Sequence, residues 1–260
     1  MRAATLKALI DAKLAGRAAV LALDLESGND TLIFPLEARE TSELIQEARS
    51  ALQADKAGEV EVDGRKLFLN VFAPPLELVV IGAVHISQAL APMASLLGYK
   101  VTVIDPREAF GTEERFPNVR LLNIWPDEAL KASPPHARTA IVTLTHDPKL
   151  DDAALIPALA SPAFYVGCLG SRKTQLARVN RMRRAGLSDE AIARIHGPVG
   201  LRIGARSPAE IAIAILAEMT AVLRGGDVIK TAAHAEKASA HPSPLPAGRA
   251  KGGRAANEGA

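Results

Sequence analysis

The sequence predicts an α/β fold in which a mostly parallel sheet is covered by helices on both faces. Short apolar runs alternate with helix-like segments from about residue 76 to residue 225, as expected for such a sheet. Within this region, residues 78–107 read as strand, turn, helix and strand. Gly82 ends the first of these strands and Asp105 ends the second, 23 positions later. That spacing is typical of the βαβ unit that binds dinucleotides, so the region is expected to be Rossmann-like.

Residues 1–73 are expected to form a smaller α+β domain. Their pattern indicates a helix, two short strands, a second helix, and a pair of strands with the sequences EVEVDG and RKLFLNVF. The last two alternate polar and apolar residues around Asp63 and Gly64, and an Asp-Gly pair in that setting favours a tight hairpin. Pro74 and Pro75 follow, and proline cannot continue the interior of a strand. They therefore mark the predicted end of this domain.

Five strands are predicted in the second domain, residues 76–225. Each consists mainly of apolar residues, which indicates strands buried on both faces of a parallel sheet. Parallel strands need crossover connections, and the helix-like segments between them supply these. In chain order the strands read LELVVIG, KVTVID, VRLLNI, TAIVTLT and AFYVGCLG.

A helix closes this domain, and its start is well marked. Ser207 is a capping residue, Pro208 suits the first helical position, and Glu210 completes a capping box. The helix body, IAIAILAEMTAVL, is apolar nearly all round, which indicates burial against the sheet or against a partner subunit. Glu218 lies within it, where an unpaired carboxylate is costly. We therefore expect Glu218 to pair with a basic group or to face a ligand or a subunit interface.

The composition is that of a globular protein. Of the 260 residues, 48% are hydrophobic and 23% are charged, with a net charge of +2 at neutral pH. No apolar run approaches the ~20 residues of a membrane-spanning helix, and residues 1–20 lack the apolar core of a signal peptide. The basic segment RVNRMRR, residues 178–184, is interpreted as a solvated helix face. No nucleic-acid or membrane partner is expected.

The cysteine content and the C-terminal composition support further expectations. Cys168 is the single cysteine and can form no internal disulfide, which fits a reducing cytoplasm. Its place in an apolar strand indicates a packed thiol. One cysteine, together with histidines that lack ligand spacing, predicts that the protein binds no metal directly. Residues 226–260 are rich in Ala, Gly, Pro and Ser, and they are expected to be a disordered tail.

Candidate ligand-binding residues lie where the predicted strands end. In an open parallel sheet, ligands bind in the crevice beyond the carboxyl ends of the strands. Four strand ends carry flexible or ionisable residues on an otherwise apolar framework, and they are expected to form one pocket. None of these residues is assigned a catalytic role. The candidate cofactor-binding residues are Gly82, His85, Asp105, Arg107, His146, Asp147, Gly167, Gly170, Ser171 and Arg172.

The segment GCLGSRKT, residues 167–174, has two interpretations. Free amides, a helix dipole and the guanidinium of Arg172 can converge here on an anion. Alternatively, the segment is a tight turn between a strand and a helix, with Ser171 as an ordinary cap. Arg107 lies at a neighbouring strand end and favours the first interpretation. Together the two arginines resemble a clamp for a phosphate or a pterin phosphate.

Each histidine position is compatible with a structural role, and those of His85 and His146 also with a functional one. His85 is expected one turn into the first helix of the βαβ unit, where it either contacts a ligand or packs. His146 and Asp147 follow a strand, where they either perform acid–base work or hold the polar edge of a ligand. Asp147 precedes a proline, and this pattern also suits a helix cap. His196 precedes a Gly-Pro pair and is predicted to end a helix.

The first turn of the βαβ unit is poorly suited to NAD(P). A G-x-G-x-x-G loop needs its second and third glycines for close approach to the pyrophosphate and for helix packing, and this chain has Val84 and Ser87 there. A valine side chain over the first helical turn obstructs a diphosphate. NAD(P) binding is therefore not expected. An NAD(P)-dependent oxidoreductase with His146 as its acid–base residue, and a nucleotide-sensing module, remain the alternative functions.

Taken together, the motifs resemble those of the XdhC/CoxI family, accessory proteins for molybdenum-cofactor hydroxylases such as xanthine dehydrogenase. The resemblance covers roughly Leu78 to Leu223, and the segments follow the order of the family. As a set they are far more specific than the first segment alone. They read VVIGAVHISQALAPMASLLGYKVTVIDPR, RFPNV, THD followed by KLDDAAL, YVGCLGSRKT, and GPVGLRIGARSPAEIAIAILAEM.

The resemblance implies a maturation factor and not an enzyme. Such a protein binds the molybdenum cofactor in its molybdopterin form, protects it while a cysteine desulfurase exchanges an oxo ligand for sulfur, and delivers it to an apo molybdenum hydroxylase. This chain departs from the family pattern at Val84, which replaces a glycine before His85. Its N-terminal region also lacks the Gly-Ser-x-Pro-Arg and glycine-rich motifs of fuller members, which a second subunit can supply. A homodimer is expected, because the closing helix offers more apolar surface than one sheet face covers.

Overall fold

Residues 1–226 are described by the computed structural model, so nearly all of the expected tail, 226–260, lies outside the described residues. The N-terminal elements are α1 (Ala3–Leu14), β1 (Ala19–Asp24), β2 (Asp30–Ile33), α2 (Glu43–Ala54), β3 (Gly58–Val62) and β4 (Arg65–Phe72). The later elements are β5 (Glu77–Ile81), α3 (His85–Leu96), β6 (Lys100–Ile104), β7 (Arg120–Leu122), α4 (Pro126–Ala132), β8 (Thr139–Thr143), α5 (Pro148–Ala160), β9 (Tyr165–Cys168), α6 (Arg172–Arg184), α7 (Asp189–Ala193), β10 (Ile195–His196) and α8 (Pro208–Arg224).

The four N-terminal strands form an antiparallel sheet in the order β2-β1-β4-β3. The predicted hairpin joins β3 to β4, and its turn residues Asp63 and Gly64 have φ values of 50° and 71°. Positive φ at both positions is what a two-residue Asp-Gly turn requires. Helix α2 packs Ala48 and Leu52 into the same apolar cluster as Val20 of the sheet. The predicted small α+β unit is therefore confirmed as a sheet covered by helices.

Six strands form the second sheet, and all of its pairings are parallel. Their order is β10-β9-β8-β5-β6-β7. The chain starts in the middle at β5, adds β6 and β7 on one side, and then returns to add β8, β9 and β10 on the other. The strand order therefore reverses between β5 and β8, and open α/β sheets bind ligands at such a switch point. The predicted fold class is confirmed, including all five predicted strands.

Two apolar layers enclose the parallel sheet. Side chains alternate between the faces of a strand, so each strand contributes to both layers. On one face, α3 and α8 share a cluster with the sheet that includes Leu78, Val80, Leu90, Ile215 and Met219. On the other face, α4, α5 and α6 share a cluster that includes Ile81, Ile141, Leu155 and Met182.

The prediction that His196 ends a helix is wrong. Helix α7 ends at Ala193, and Ile195 and His196 form β10. They pair in parallel with Val166 and Gly167 of β9. The cause is tertiary, because the free edge of β9 offers backbone hydrogen bonds that the local sequence does not reveal.

Helix α8 starts where predicted, and most of its apolar side chains are buried or partly buried against the rest of the chain. Ser207 Oγ accepts a hydrogen bond from Glu210 N at 3.3 Å, and Glu210 Oε2 accepts one from Ser207 N at 2.9 Å. The helix is followed by Gly225, with a φ of 68°. It packs on α3 and the sheet, and its large apolar residue Ile213 remains 51% exposed. The chain itself therefore buries most of the apolar surface on which the homodimer prediction rests.

Arg138, just before β8, bonds to residues of two N-terminal connections. Its Nε donates to the carbonyl oxygen of Pro74 at 2.7 Å, and its Nη2 donates to Asp55 Oδ2 at 2.8 Å. The described residues all belong to one compact unit. The division into domains 1–73 and 76–225 remains a prediction about independent folding.

Candidate functional site

Four loops leave the parallel sheet side by side at the carboxyl ends of its strands. In sheet order they follow β9, β8, β5 and β6. Every predicted site residue lies in one of these four loops, in the strand before it, or in the first turn of the helix after it. The sheet therefore brings the ten residues to one edge, as expected from parallel strands. Their role in binding a cofactor stays a prediction.

Gly82 allows the β5 loop to pass close to the β8 loop. Its φ is 104°, and a Cβ atom at this position would lie 2.6 Å from Thr145 Cγ2. Positive φ penalises residues with side chains, and the close approach forbids a side chain on packing grounds as well. Gly82 is therefore required where the two loops meet at the switch point of the sheet.

Two backbone amides just before α3 already donate to protein groups. Ala83 N donates to Asp105 Oδ2 at 2.8 Å, and Val84 N donates to Ser87 Oγ at 3.4 Å. Ser87 Oγ in turn donates to the carbonyl oxygen of Gly82. In a dinucleotide site the amides of this turn face the pyrophosphate. The arrangement therefore disfavours a bound diphosphate at the β5 loop.

Asp105 is buried, and its two carboxylate oxygens accept four hydrogen bonds. Oδ1 accepts from the backbone N and Nε of Arg107 at 3.0 and 2.8 Å. Oδ2 accepts from Ala83 N at 2.8 Å and from Arg107 Nη2 at 2.7 Å. Burial raises the pKa of this carboxyl, but the hydrogen bonds from Arg107 and Ala83 outweigh burial and hold the pKa below its usual value. Asp105 therefore joins the β5 and β6 loops, and a ribose hydroxyl would have to displace one of these bonds.

Arg107 is held in place and remains accessible. Its side chain is 42% exposed, and its guanidinium carbon lies 4.5 Å from the centroid of the Phe110 ring. The hydrogen bond to Asp105 raises the pKa of Arg107, and the charge of Asp147 adds to this effect. The influence of Asp147 reflects the closeness of the β6 and β8 loops. An anion at this edge would meet a fixed guanidinium whose charge is shared with a carboxylate.

The β8 loop exposes both of its predicted site residues. Asp147 Oδ1 accepts from Lys149 N at 2.9 Å and caps α5, which is the ordinary role that the sequence also allows. Within residues 1–226, the His146 ring makes no side-chain hydrogen bond. His146 is therefore the more available of the two residues for contact with a ligand.

The β9 loop combines packing requirements with an exposed basic residue. A Cβ atom on Gly167 would lie 2.6 Å from Val199 Cγ2, so this glycine is needed inside the strand. Gly170 has a φ of 145°, and Ser171 Oγ caps α6 by accepting from a backbone amide of its first turn at 3.2 Å. Arg172 is exposed at the first position of the 13-residue helix α6. The two interpretations of this segment are thus compatible, because a capped turn here presents an arginine.

A buried arginine beneath these loops is absent from the predicted set of site residues. Arg178 of α6 is 1% exposed. Its Nη2 donates to the carbonyl oxygen of Leu169 at 2.8 Å and lies 3.3 Å from Asp151 Oδ2. Asp151 Oδ1 accepts from Thr145 Oγ1 at 2.6 Å. Arg178 and Asp151 therefore tie the β9 loop to the β8 loop from inside the fold.

The interpretation of residues 178–184 as a solvated helix face is wrong for the members that point inward. Arg178 is buried, and Arg181 Nε donates to Asp152 Oδ2 at 2.6 Å. A usable signal lies in the spacing, because Arg178 precedes Met182 by four residues and shares its buried face of α6. The two adjacent aspartates in LDDAAL are the complementary signal.

Burial governs the titration of the groups below the loops. It raises the pKa of Asp151, and the hydrogen bond from Thr145 and the charge of Arg178 offset this only in part. Burial also raises the pKa of the Cys168 thiol to about 11. The reactive form of cysteine is the thiolate, which is scarce near neutral pH at such a pKa. Cys168 is therefore a packing residue in this structure.

Glu218 finds partners inside the fold. Its Oε2 accepts from Tyr165 Oη at 2.6 Å and from Gly200 N at 2.7 Å, and its Oε1 lies 3.1 Å from His196 Nδ1. Burial raises the pKa of Glu218, but the contacts with His196, Tyr165 and Gly200 outweigh it and lower the pKa. The sequence left open whether Glu218 pairs with a basic group or faces a ligand or a subunit interface. The contact with His196 supports the first of these alternatives. Glu218 thereby ties α8 to β9 and β10.

The described part of the chain offers no metal site built from its own side chains. Within residues 1–226, no group of three or more His, Cys, Asp or Glu side chains is placed to hold a metal ion. Helix α8, with 17 residues, is the longest helix of that region, and no helix there is long and apolar enough to cross a membrane.

A family model described as the XdhC Rossmann domain matches residues 78–219, which is more than half of the chain. The chain belongs to the XdhC family. The matched region runs from β5 into α8 and includes all four site loops. The resemblance drawn from the motifs is therefore confirmed.

Three curated proteins are similar to this XdhC protein. It is 34% identical over 171 residues to YqeB of Escherichia coli (strain K12), covering 65% of this chain and 31% of that protein. It is 30% identical over 154 residues to a probable xanthine dehydrogenase subunit of Bacillus subtilis (strain 168), covering 59% and 44%. It is 29% identical over 151 residues to the molybdenum cofactor insertion chaperone PaoD of E. coli (strain K12), covering 58% and 41%. The matches span less than half of the length of each relative.

Among solved structures, this XdhC protein resembles the crystal structure of a xanthine dehydrogenase from Bacillus halodurans. The TM-score is 0.57 at 21% identity, and the match covers 88% of this chain and 66% of that one. At this identity the likeness shows the fold alone. Its coverage exceeds the matched Rossmann residues, so the shared fold includes N-terminal elements.

Proposed function

We propose that this XdhC protein is a non-enzymatic maturation factor that binds the molybdenum cofactor as its cargo and serves a molybdenum hydroxylase of the xanthine dehydrogenase type. Two relatives support the proposal through their names, since one is a molybdenum cofactor insertion chaperone and the other a probable xanthine dehydrogenase subunit. The two matches cover 59% and 58% of the chain. The proposal concerns the XdhC Rossmann domain, residues 78–219, because the matches cover only 44% and 41% of the two relatives.

One observation carries the proposal: the four loops at the carboxyl edge present basic groups, while the arrangement of the β5 loop disfavours a diphosphate. His85, His146 and Arg172 are exposed, and Arg107 is partly exposed. Such an edge suits a ligand that combines an anionic phosphate with a polar ring system, because arginines hold the phosphate and imidazoles hold ring polar atoms. Arg107 and Arg172 would hold the phosphate, and His85 and His146 the pterin.

A nicotinamide-dependent oxidoreductase and a nucleotide-sensing module are less well supported. Both require a nucleotide phosphate to reach the amides after β5, and two of these amides, those of Ala83 and Val84, already donate to Asp105 and Ser87. Asp105, which would bind a ribose, is saturated by Arg107 and Ala83. His146 remains the residue that hydride-transfer chemistry would use as acid or base.

The sulfur step is assigned to a partner. A buried thiol with a pKa of about 11 is poorly suited to receive sulfur, so Cys168 leaves the exchange of oxo for sulfur to a cysteine desulfurase. The XdhC protein would shield the cofactor during this exchange in the cytoplasm and pass it to the apo-enzyme. The N-terminal region lacks two motifs of fuller family members, and a second subunit would supply the cofactor contacts that those motifs make.

Ligand titration tests the proposed function. Purified protein is titrated with isolated molybdenum cofactor and, separately, with NAD and NADP, and the ligand that co-purifies from a molybdate-fed host is identified by mass spectrometry. We expect binding of the molybdenum cofactor and none of the nicotinamide cofactors. Binding of NAD or NADP without binding of the molybdenum cofactor would overturn the assignment.

The homodimer stays a separate prediction, which light scattering tests. Scattering is measured on the full chain and on a chain ending at Arg224, and a dimer is expected for both, because the tail is not expected to take part in the contact. A monomer in both cases would contradict the prediction.

A further inference from the structure

Helix α1 exposes a row of apolar side chains. The side of α1 that faces the fold is formed by Thr5, Leu9 and Ala12. On another side, Leu6, Ile10 and Leu14 are 43%, 49% and 82% exposed. These three residues are spaced four apart, so they form one stripe along the helix. We call Leu6, Ile10 and Leu14 the α1 stripe.

The α1 stripe ends at a cavity of about 550 Å³. Leu14 lines this cavity together with Phe72 at the end of β4, with Pro74, and with Lys100 and His136 at the start of the parallel strands. We call it the junction cavity. Its volume lies within the range that holds a small molecule or a group of side chains. The α1 stripe therefore leads, through Leu14, into a recess that is lined by both apolar and charged side chains.

The charges around this surface are mainly positive. Lys7 and Lys13 are exposed on opposite sides of the α1 stripe, and Lys100 is exposed at the junction cavity. Among the described residues, none of these three lysines has an acidic side chain within 4.0 Å. Asp11 is the acidic residue of α1 and is exposed as well. The unpaired charge at the surface is thus predominantly basic.

The remaining charged groups at the cavity are already paired. Arg17 Nη2 lies 2.5 Å from Glu37 Oε2, and His136 Nε2 lies 3.5 Å from Glu77 Oε2. Arg17 and Glu37 cancel each other's charge, whereas Glu77 adds one negative charge at the cavity unless His136 is protonated. The three lysines outnumber Glu77, so the surface favours an acidic partner.

The single apolar row and its flanking lysines favour one kind of binding partner over two others. A second copy of α1 would bring the flanking lysines of both copies together, with only one Asp11 in each copy to offset them. A membrane surface suits a broad apolar helix face, whereas the α1 stripe is a single row and the side of the helix around Leu9 is buried in the fold. A helix with an apolar face and acidic flanks satisfies both the stripe and the lysines.

We propose that the α1 stripe and the junction cavity form a docking surface for a helix of another protein whose apolar face is flanked by Asp or Glu. A bulky side chain of that helix enters the junction cavity, as anchor residues do at the centre of an interface. Glu77 and Lys100, which border the cavity, are the first residues of β5 and β6. The docking surface therefore lies at the opposite end of the parallel sheet from the four loops, and a bound partner leaves the loops open.

Designed peptides test the docking surface. One amphipathic peptide of about five helical turns carries leucines spaced four apart with glutamate flanks, and a matched peptide carries lysine flanks instead. Fluorescence anisotropy with the full chain should show binding of the glutamate peptide that weakens as salt is added. Ile10→Gln should weaken this binding about tenfold or more, since it removes buried apolar area. Leu96→Gln is the matched control, because Leu96 on α3 is 89% exposed and lies outside the surface.

A charge swap provides the second arm. In the double variant Lys7→Glu and Lys13→Glu, preference should move from the glutamate peptide to the lysine peptide. Both side chains are exposed, so melting temperatures should stay near that of the unaltered protein, and this arm decides the outcome if Ile10→Gln fails to fold.

Four results would overturn the proposal. They are failure of the glutamate peptide to bind, equal binding of both peptides, equal losses from Ile10→Gln and Leu96→Gln, and a dimer in light scattering that Ile10→Gln dissociates. Binding of phosphatidylserine vesicles through the stripe, with no preference between the peptides, would assign the surface to a membrane instead. Because the peptides do not use the four loops, these outcomes are independent of cofactor binding.

Discussion

The Arg178 guanidinium lies 3.3 Å from the Asp151 carboxylate in the interior, where the two side chains are 1% and 4% exposed. Arg178 belongs to the helix after β9 and Asp151 to the helix after β8, so one ion pair connects two of the four site loops. Arg178 also donates to the carbonyl oxygen of Leu169 within the β9 loop. The positions of these loops thus depend on a buried electrostatic contact as well as on their own turns.

Replacing Arg178 with Ala should destabilise the protein. Removing one partner of a buried pair leaves the other charge uncompensated and typically costs about 3–5 kcal/mol. We expect the lower end of this range, since the raised pKa of Asp151 lets the carboxylate take up a proton. Urea unfolding measures the change, with Arg184→Ala on the exposed side of α6 as the control. Similar losses for the two variants would contradict a special role for Arg178.

Asp105 should make stability depend on pH in the acidic range. Its pKa is lower in the folded protein than its usual value, so its ionised form contributes stability that is fully present above the unfolded value of about 3.9. This contribution is lost as pH falls through the lower folded pKa. The free energy of unfolding of Asp105→Asn should therefore approach that of the unaltered protein as the pH is lowered below about 4. Unfolding titrations at several pH values check this, and a constant difference would contradict it.

Gly82→Ala should disrupt the contact between the β5 and β8 loops. The alanine Cβ would meet Thr145 Cγ2 at 2.6 Å and would also adopt a φ of 104°, so we expect a loss of about 2–4 kcal/mol from strain and overpacking together. Gly28→Ala is the control, since Gly28 has a φ of 71° and open space around it.

A second substitution separates these two causes. Thr145→Ser removes Cγ2 but keeps the hydroxyl that binds Asp151, so the cost of Gly82→Ala should be smaller in the Thr145→Ser background. An unchanged cost would show that φ strain, and not the contact with Thr145, dominates.

Arg172→Ala should weaken binding of the molybdenum cofactor. Charged hydrogen bonds contribute roughly 1.5–3 kcal/mol each, which corresponds to about 10- to 150-fold in affinity. The melting temperature should hardly change, because Arg172 is exposed at the start of α6. Titration with isolated cofactor and a thermal melt are measured together, with Arg184→Ala as the basic control on the same helix. A collapsed melting temperature with unchanged affinity per folded molecule would make Arg172 structural.

Cys168→Ala should leave cofactor binding and sulfuration intact. The thiol is fully buried and has a pKa of about 11, so the folded protein should also resist alkylation by iodoacetamide near neutral pH, whereas the unfolded protein should react. Mass spectrometry follows the alkylation, and the activity of the matured target enzyme reports sulfuration. If the variant binds cofactor normally but yields only the inactive oxo form of the target, the thiol takes part in the sulfur step.

Much of the fold could be predicted from the sequence, because its signals are local. The apolar strand runs, the Asp63-Gly64 turn and the capping box of Ser207 and Glu210 each depend on residues close together in the chain. The common edge of the site residues was also predictable, since parallel strands joined by helices must direct all their carboxyl ends the same way. The architecture, and the edge of the sheet at which the candidate residues lie, therefore follow from local patterns in the chain.

The contacts that surround those residues could not be predicted, because they arise only when the chain folds. Asp105 accepts from Ala83 across 22 positions, Arg178 pairs with Asp151 across 27, and Tyr165 donates to Glu218 across 53. Periodicity and turn chemistry do not encode contacts at such separations, because they arise when helices and strands pack and buried polar groups must find partners. For the same reason, the sequence did not reveal that His196 pairs with the free edge of β9. Nor did it reveal that α1 packs on one side and leaves Leu6, Ile10 and Leu14 exposed on another.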